Sequence, residues 1–136
     1  MALLCTTSPF QQATRAGLTL TGPLSDSKMI WKPHATVAAV IERDGEFLMV
    51  REDAGTGSIV INQPAGHLEE SETLLDAVVR ESLEETAWHV QPVALVGIYK
   101  WRIPPAGLTY VRYCFAASTV SQDSARPLDD GILSAD

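Results

Sequence analysis

Between Gly66 and Trp88 the chain reads GHLEESETLLDAVVRESLEETAW, and this segment gathers acids with the means to do chemistry. Glu72, Glu81, Glu84 and Glu85 are spaced around one arginine, Arg80. On a helix turning about 100° per residue, Glu81, Glu84 and Glu85 fall within an arc of ~100°. Carboxylates this close repel one another, at ~0.2–0.5 kcal/mol for each i,i+4 pair. A cation among them relieves that cost, and an all-oxygen set suits a hard ion such as Mg²⁺ or Mn²⁺. Taken alone, a Glu-rich helix face is more often solvated surface.

The wider spacing narrows the reading. Five residues separate Gly66 from Glu72, seven separate Glu72 from Arg80-Glu81, and two separate that pair from Glu84-Glu85. This skeleton resembles the Nudix box, the signature of hydrolases that cleave nucleoside diphosphates linked to another group. The resemblance runs from Lys32 to about Ile132. The segments KPHATVAAVIERDGEFLMVRE and NQPAGHLEESETLLDAVVRESLEET, with Lys100-Trp101, are most similar to the NudJ-type phosphatases of that family. Those remove phosphate from nucleoside tri- and diphosphates and from the pyrophosphate of the thiamine pyrimidine precursor.

The resemblance implies metal-assisted attack of water on a pyrophosphate linkage in a small phosphorylated molecule, with Mg²⁺ as cofactor and Mn²⁺ as a substitute. It implies that Glu81, Glu84 and Glu85 hold the ions, helped by the backbone carbonyl of Ala65 or Gly66. Glu84 and Glu85 are then direct ligands, and Glu81 is a ligand or the base that orients water. Arg80 joins this catalytic set by pairing with the carboxylates, and Glu72 supports the box from its start. Two rival readings stand beside this one. The first is a Nudix substrate of another kind, such as ADP-ribose or a dinucleoside polyphosphate. The second is a shortened, inactive module that binds a nucleotide or a partner.

Candidates for gripping substrate lie outside the helix. Arg51, Lys100 and Arg112 sit on or beside strands bordering the expected cleft and would meet phosphate. Trp101, Tyr110 and Tyr113 offer rings for stacking. His67 follows the box glycine and lies close to the site, whereas His34 and His89 read as incidental. Asp129 and Asp130 precede the last partial strand, where some Nudix enzymes place an extra carboxylate.

Several elements must position these groups. Ala35 to Ile41 is a β-branched and small apolar run that fits a buried strand. Asp44-Gly45 signals a hairpin, with Phe47-Leu48-Met49-Val50 returning as its partner. Ser58 to Asn62 reads as a third strand, after which Pro64-Ala65-Gly66 turns into a loop. Ser71 is placed to cap the following helix, and Leu74, Leu75, Val78, Val79 and Leu83 form its apolar stripe. Ala94 to Trp101 and Leu108 to Ala117 are longer strands joined by the turn Pro104-Pro105-Ala106-Gly107. Three positions depart from the family pattern. Ser82 stands where a bulky aliphatic is usual and is placed to bond the i−4 carbonyl. Ala87 stands where glycine normally ends the helix, and Ile61 where the NudJ type usually has tryptophan.

The chain has 136 residues, 46% hydrophobic, with seven net negative charges. That describes one globular domain with enough apolar material for a core, and the family resemblance implies an α/β fold with a mixed sheet in an α/β/α sandwich. The C-terminal helix of that sandwich is missing from the sequence, which would leave one apolar sheet face uncovered. Residues 1–28 read as a flexible extension and 29–136 as a Nudix domain incomplete at its C-terminus. For the extension, a transit-like segment or a true start at Met29 are the other readings. The acidic balance argues against a nucleic-acid surface, which needs clustered Lys and Arg. No run approaches the ~20 apolar residues of a membrane span. Cys5 and Cys114 lie in unlike contexts, which points to a reduced, cytoplasmic setting. A monomer or a homodimer fits the family.

Overall fold

A computed structural model describes residues 30–55 and 57–136; the extension expected over 1–28 lies outside the described residues. The unit described here runs from Lys32 to Asp136. Its first strand, β1 (His34–Arg43), is longer than the expected run and buries Val37, Ala39 and Ile41. Asp44 and Gly45 both take positive φ, 57° and 87°, as a two-residue turn matched to the strand twist requires. The return strand is shorter than expected. Only β2 (Glu46–Phe47) pairs with β1, and the chain then leaves the sheet. Leu48 still donates to the Ile41 carbonyl at 2.9 Å, but Val50 opens β3 (Val50–Asp53) in a second sheet.

That second sheet has three antiparallel strands in the order β4 (Ile59–Asn62), β3, β8 (Ile132–Ala135). The loop expected at Pro64-Ala65-Gly66 is instead partly strand. β5 (Ala65–His67) lies antiparallel on β1, with Thr36 opposite His67, Val37 opposite Gly66 and Ala38 opposite Ala65. The pairing is possible because β2 covers only the far end of the same β1 edge.

The main sheet is completed by β6 (Trp88–Ile103) and β7 (Leu108–Gln122), a long hairpin closed at residues 104–107. β7 runs parallel to β1 from His34 opposite Tyr110 to Ile41 opposite Ala117, so the sheet is mixed, as expected.

The helix α1 (Leu74–Thr86) packs on one face of this sheet. Its cap is Thr73 rather than Ser71. The Thr73 hydroxyl accepts from the Asp76 N–H and the Asp76 carboxylate accepts from the Thr73 N–H, a reciprocal pair that satisfies two otherwise orphaned donors. Of the expected stripe, Val78 is fully buried and Leu74 and Val79 pack on the core, while Leu75 is 51% exposed; Ala77, Ser82 and Thr86 are buried with them. Small side chains let the helix approach the sheet closely, where Ala77 and Val78 meet Val37, Phe115 and Ala117.

Ser82 makes no bond to the i−4 carbonyl: its hydroxyl is fully buried and finds no partner among the described residues. Thr86 donates to the Ser82 carbonyl instead. Ala87 ends the helix in the left-handed conformation, φ 58°, at the place expected for glycine. The outer strand β6 leaves Val93, Leu95, Val96 and Ile98 about half exposed. No helix among the described residues is long and apolar enough to cross a membrane.

Candidate active site

Arg80 organises the acids through every nitrogen of its fork. Nε donates to Glu72 Oε2 at 2.9 Å and Nη2 to Glu72 Oε1 at 2.7 Å, a two-point grip. Nη2 also reaches the His67 carbonyl at 2.9 Å, and Nη1 spans Glu81 Oε1 at 2.8 Å and Glu84 Oε2 at 3.0 Å. Glu72 in turn accepts the Glu69 N–H at 2.8 Å. One guanidinium thus ties β5, the loop before the helix and two successive helix turns together. The hydrogen bond to Glu72, with those to Glu81 and Glu84, holds Arg80 charged well beyond its ordinary range, and the same contact holds Glu72 below the usual carboxylate range.

The other two box acids face inward. Glu81 is 12% exposed, and its carboxyl group occupies the space beside Gly66: a Cβ there would lie 2.1 Å from it. Burial pushes the Glu81 carboxyl up, against the pull of Arg80. Glu85 Oε2 accepts the Ala65 N–H at 2.9 Å from the edge of β5. Burial raises Glu85 to about 7 even so, and the charges of Glu81, Glu52 and Asp129 push the same way.

Those last two residues enlarge the cluster. Asp129 is pinned to the helix by its N–H, which donates to the Glu84 carbonyl at 3.0 Å. Glu52 reaches the site from β3 in the other sheet, and the spacing of the box gave no sign of it. An acid in a short strand has no periodic mark; the second sheet that carries it here only appears once β3 has left β1.

As the side chains stand, no three described His, Cys, Asp or Glu groups converge on one point at metal-binding distance. The residues nonetheless fit a hard divalent ion. The donors are all oxygen, the Gly66 backbone leaves room for the Glu81 carboxyl, and Glu81 and Glu85 are acids that burial and mutual repulsion hold back from ionising. Glu81, Glu84 and Glu85, with the Ala65 and Gly66 backbone, would hold it.

The substrate candidates separate into two groups. Trp101, Tyr110 and His34 are register partners across β6, β7 and β1, so their rings form a row on one sheet face. Trp101 and Tyr110 stack at 5.3 Å and Tyr110 and His34 at 5.0 Å. His67 joins this row, 6.1 Å from Tyr110, so His34 is part of a ring cluster rather than incidental. Arg112 lies on the same face, its guanidinium 5.1 Å from the Trp101 ring and close enough for Glu85 to act on its charge. Lys100 and Tyr113 fall on the opposite face, because Lys100 pairs with Val111 and successive residues alternate. Arg51 points, by the same alternation on β3, away from the side that Glu52 presents to the cluster. His89 is exposed on β6, remote in register from the ring row.

Comparison with known proteins agrees with this geometry. The NUDIX domain profile matches residues 32–135. The chain is 40% identical over 103 residues to the phosphatase NudJ of Escherichia coli K12, an alignment covering 76% of this chain and 66% of that protein. A NUDIX hydrolase structure from Nitrosomonas europaea superimposes with a TM-score of 0.75 at 48% identity, covering 77% of this chain and 71% of that one. An ADP-ribose pyrophosphatase from Streptococcus suis shares the fold at 17% identity, with a TM-score of 0.62 over 77% of this chain and 72% of its own.

Proposed function

The chain belongs to the NUDIX family, and from that premise we propose that it hydrolyses a pyrophosphate linkage with the help of Mg²⁺. The substrate class we infer is a nucleoside tri- or diphosphate or the thiamine-pyrimidine pyrophosphate, as a NudJ-like phosphatase would take. The observation that carries the reading is the convergence of Glu81 and Glu85 on the Gly66 and Ala65 backbone, with Glu84 linked to Glu81 through Arg80.

A divalent ion held there supplies positive charge to the phosphoryl oxygens and makes water a better nucleophile near neutral pH. The protein's own groups do the rest. Glu85, its carboxylate oriented by the Ala65 N–H, would be a ligand to that ion, and Glu81 a further ligand or the base that orients the water. The charge of Glu81 helps to hold Glu85 up, so the two acids are coupled. Arg80 holds the glutamates in place and keeps the loop on the helix, and Glu72 fixes Arg80. Arg112 and the ring row of Trp101, Tyr110 and His34 take the remainder of the substrate, with His67 at their edge; Arg51 and Lys100 contribute surface charge to substrate approach. We place the protein in the cytoplasm, as a monomer or homodimer.

The test is a phosphate-release screen over nucleotides and the thiamine-pyrimidine pyrophosphate, with and without Mg²⁺. Glu84→Gln and Glu85→Gln should each lower turnover by orders of magnitude with unchanged far-UV circular dichroism. Full activity in both variants would defeat the proposal.

A further inference from the structure

Two polar atoms on the ring-bearing face of the main sheet are buried without a hydrogen-bond partner among the described residues: Thr36 Oγ1 and Arg112 Nε. Thr36 is only 4% exposed. The two residues sit directly opposite each other in the β1–β7 register, so the coincidence is local. Leaving a buried donor unsatisfied is costly, and most proteins avoid it. Both atoms can donate, the guanidinium only so and the hydroxyl as readily as it accepts. A group that only accepts, and carries several lone pairs, would satisfy both together.

The position says which acceptor. On the far side of β1, Thr36 faces His67 in β5, and the next pair on the same face is Ala38 with Ala65. Ala65 is the residue whose N–H holds Glu85. Two residues along a strand is roughly 7 Å, so the orphaned donors stand one short step from the glutamate cluster. Arg112 and Glu85 feel each other's charge across that step.

We propose that Thr36 Oγ1 and Arg112 Nε bind a non-bridging oxygen of the phosphoryl group adjacent to the one that faces the glutamates. The proposal rests on the pyrophosphate reading above and extends it by assigning the second phosphate a seat. For the oxygen to enter, the Arg112 guanidinium gives up its place over the Trp101 ring while β1 and β7 stay fixed. Thr36 then selects substrates with two linked phosphates over those with one.

The experiment uses inorganic pyrophosphate as probe, in EDTA, with calorimetry on the wild type, Thr36→Val and Thr36→Ser. Valine keeps the shape and removes the hydroxyl; serine keeps the hydroxyl. The expected result is that the wild type and Thr36→Ser bind pyrophosphate alike and that Thr36→Val binds it about 3- to 10-fold more weakly, the loss of one hydrogen bond. Thr36→Val should also melt at or above the wild-type temperature, because its lost hydroxyl had no partner. In Mg²⁺, the same variant should raise KM for the substrate about as much, with kcat nearly unchanged. Equal pyrophosphate affinity in wild type and Thr36→Val, or none in the wild type, overturns the proposal and leaves a bridging water as the partner. That outcome is separate from the fate of the hydrolysis reading, which turns on Glu84→Gln and Glu85→Gln in Mg²⁺.

Discussion

The carboxyl group of Glu81 lies where a side chain on Gly66 would have to be: a Cβ built there comes within 2.1 Å of its carbon and both its oxygens. The glycine is required by that close approach, not by its backbone angles. Gly66→Ala should therefore push Glu81 out of the cluster while β5 and the core persist. The expected outcome is a drop in Mg²⁺ affinity of ~10–100-fold, the range for disturbing groups that orient ligands. Titration calorimetry with the far-UV spectrum as control checks it, and unaltered affinity would show that Glu81 takes no part.

Arg80 predicts a different pattern. Arg80→Lys keeps a charge but loses the two-point grip on Glu72 and the links to Glu81, Glu84 and the His67 carbonyl. Melting without metal should show a loss of about 2 kcal/mol, since several charged hydrogen bonds go at once. Turnover should fall ~10–100-fold even where the variant is fully folded. A lysine variant as active as the wild type would mean the fork is dispensable.

The pH dependence follows from Glu85. Its folded value of about 7 lies above its ordinary 4.5, so the folded chain binds a proton that the unfolded chain has released. Stability of the metal-free protein should then be highest below pH ~4.5 as far as this group is concerned, and fall as pH rises towards 7. Mg²⁺ replaces the proton, so its affinity should climb over the same window and its presence should flatten the decline. Thermal melts from pH 5 to 8 with and without Mg²⁺ test this; a metal-free stability that rises across the window would contradict the assignment.

The helix start gives a pair of matched variants. Thr73→Ala removes a reciprocal cap and should cost ~1 kcal/mol, whereas Ser71→Ala should stay within ~0.5 kcal/mol of the wild type. Denaturant melts distinguish them, and equal losses would return the cap to Ser71.

Ser82 offers a gain. Its buried hydroxyl has no partner among the described residues, so Ser82→Ala should stabilise by about 1 kcal/mol and raise Tm by several degrees. Calorimetric melting decides it, and a lower Tm would mean the hydroxyl is satisfied.

Much of this molecule was legible in its sequence because the informative contacts are short-ranged. Glu72, Arg80, Glu81 and Glu84 interact within one loop and one helix, so spacing alone brings them together. The hairpin at Asp44-Gly45 was legible for the same reason, since φ > 0 at both turn positions is written in the residue types. What escaped was decided by tertiary contacts. Phe47 to Val50 looks like one strand, yet the Ala39 N–H that would face Val50 donates to the Pro64 carbonyl, and Val50 pairs in the second sheet. Leu75 lies on the same helix line as Ser82, seven residues on, yet is exposed in the first turn, which periodicity alone does not show. Lys100 and Trp101 are neighbours in one strand and so lie on opposite faces of the sheet, but only the pairing with β7 shows that Trp101 is the one beside Tyr110. Glu52 acts on the acid cluster from a segment far from α1 and was not foreseen, whereas Asp129 was a candidate from the family resemblance.

The parallel union of β1 with β7 has a temporal consequence. Residues Tyr110 to Ala117 emerge from the ribosome on the order of seconds after the acidic helix, so that helix waits without the strand that gives its neighbours a surface to rest on. A closure spanning that much chain is slow to find. The newborn protein should therefore depend on chaperones more than a hairpin-built domain of equal size.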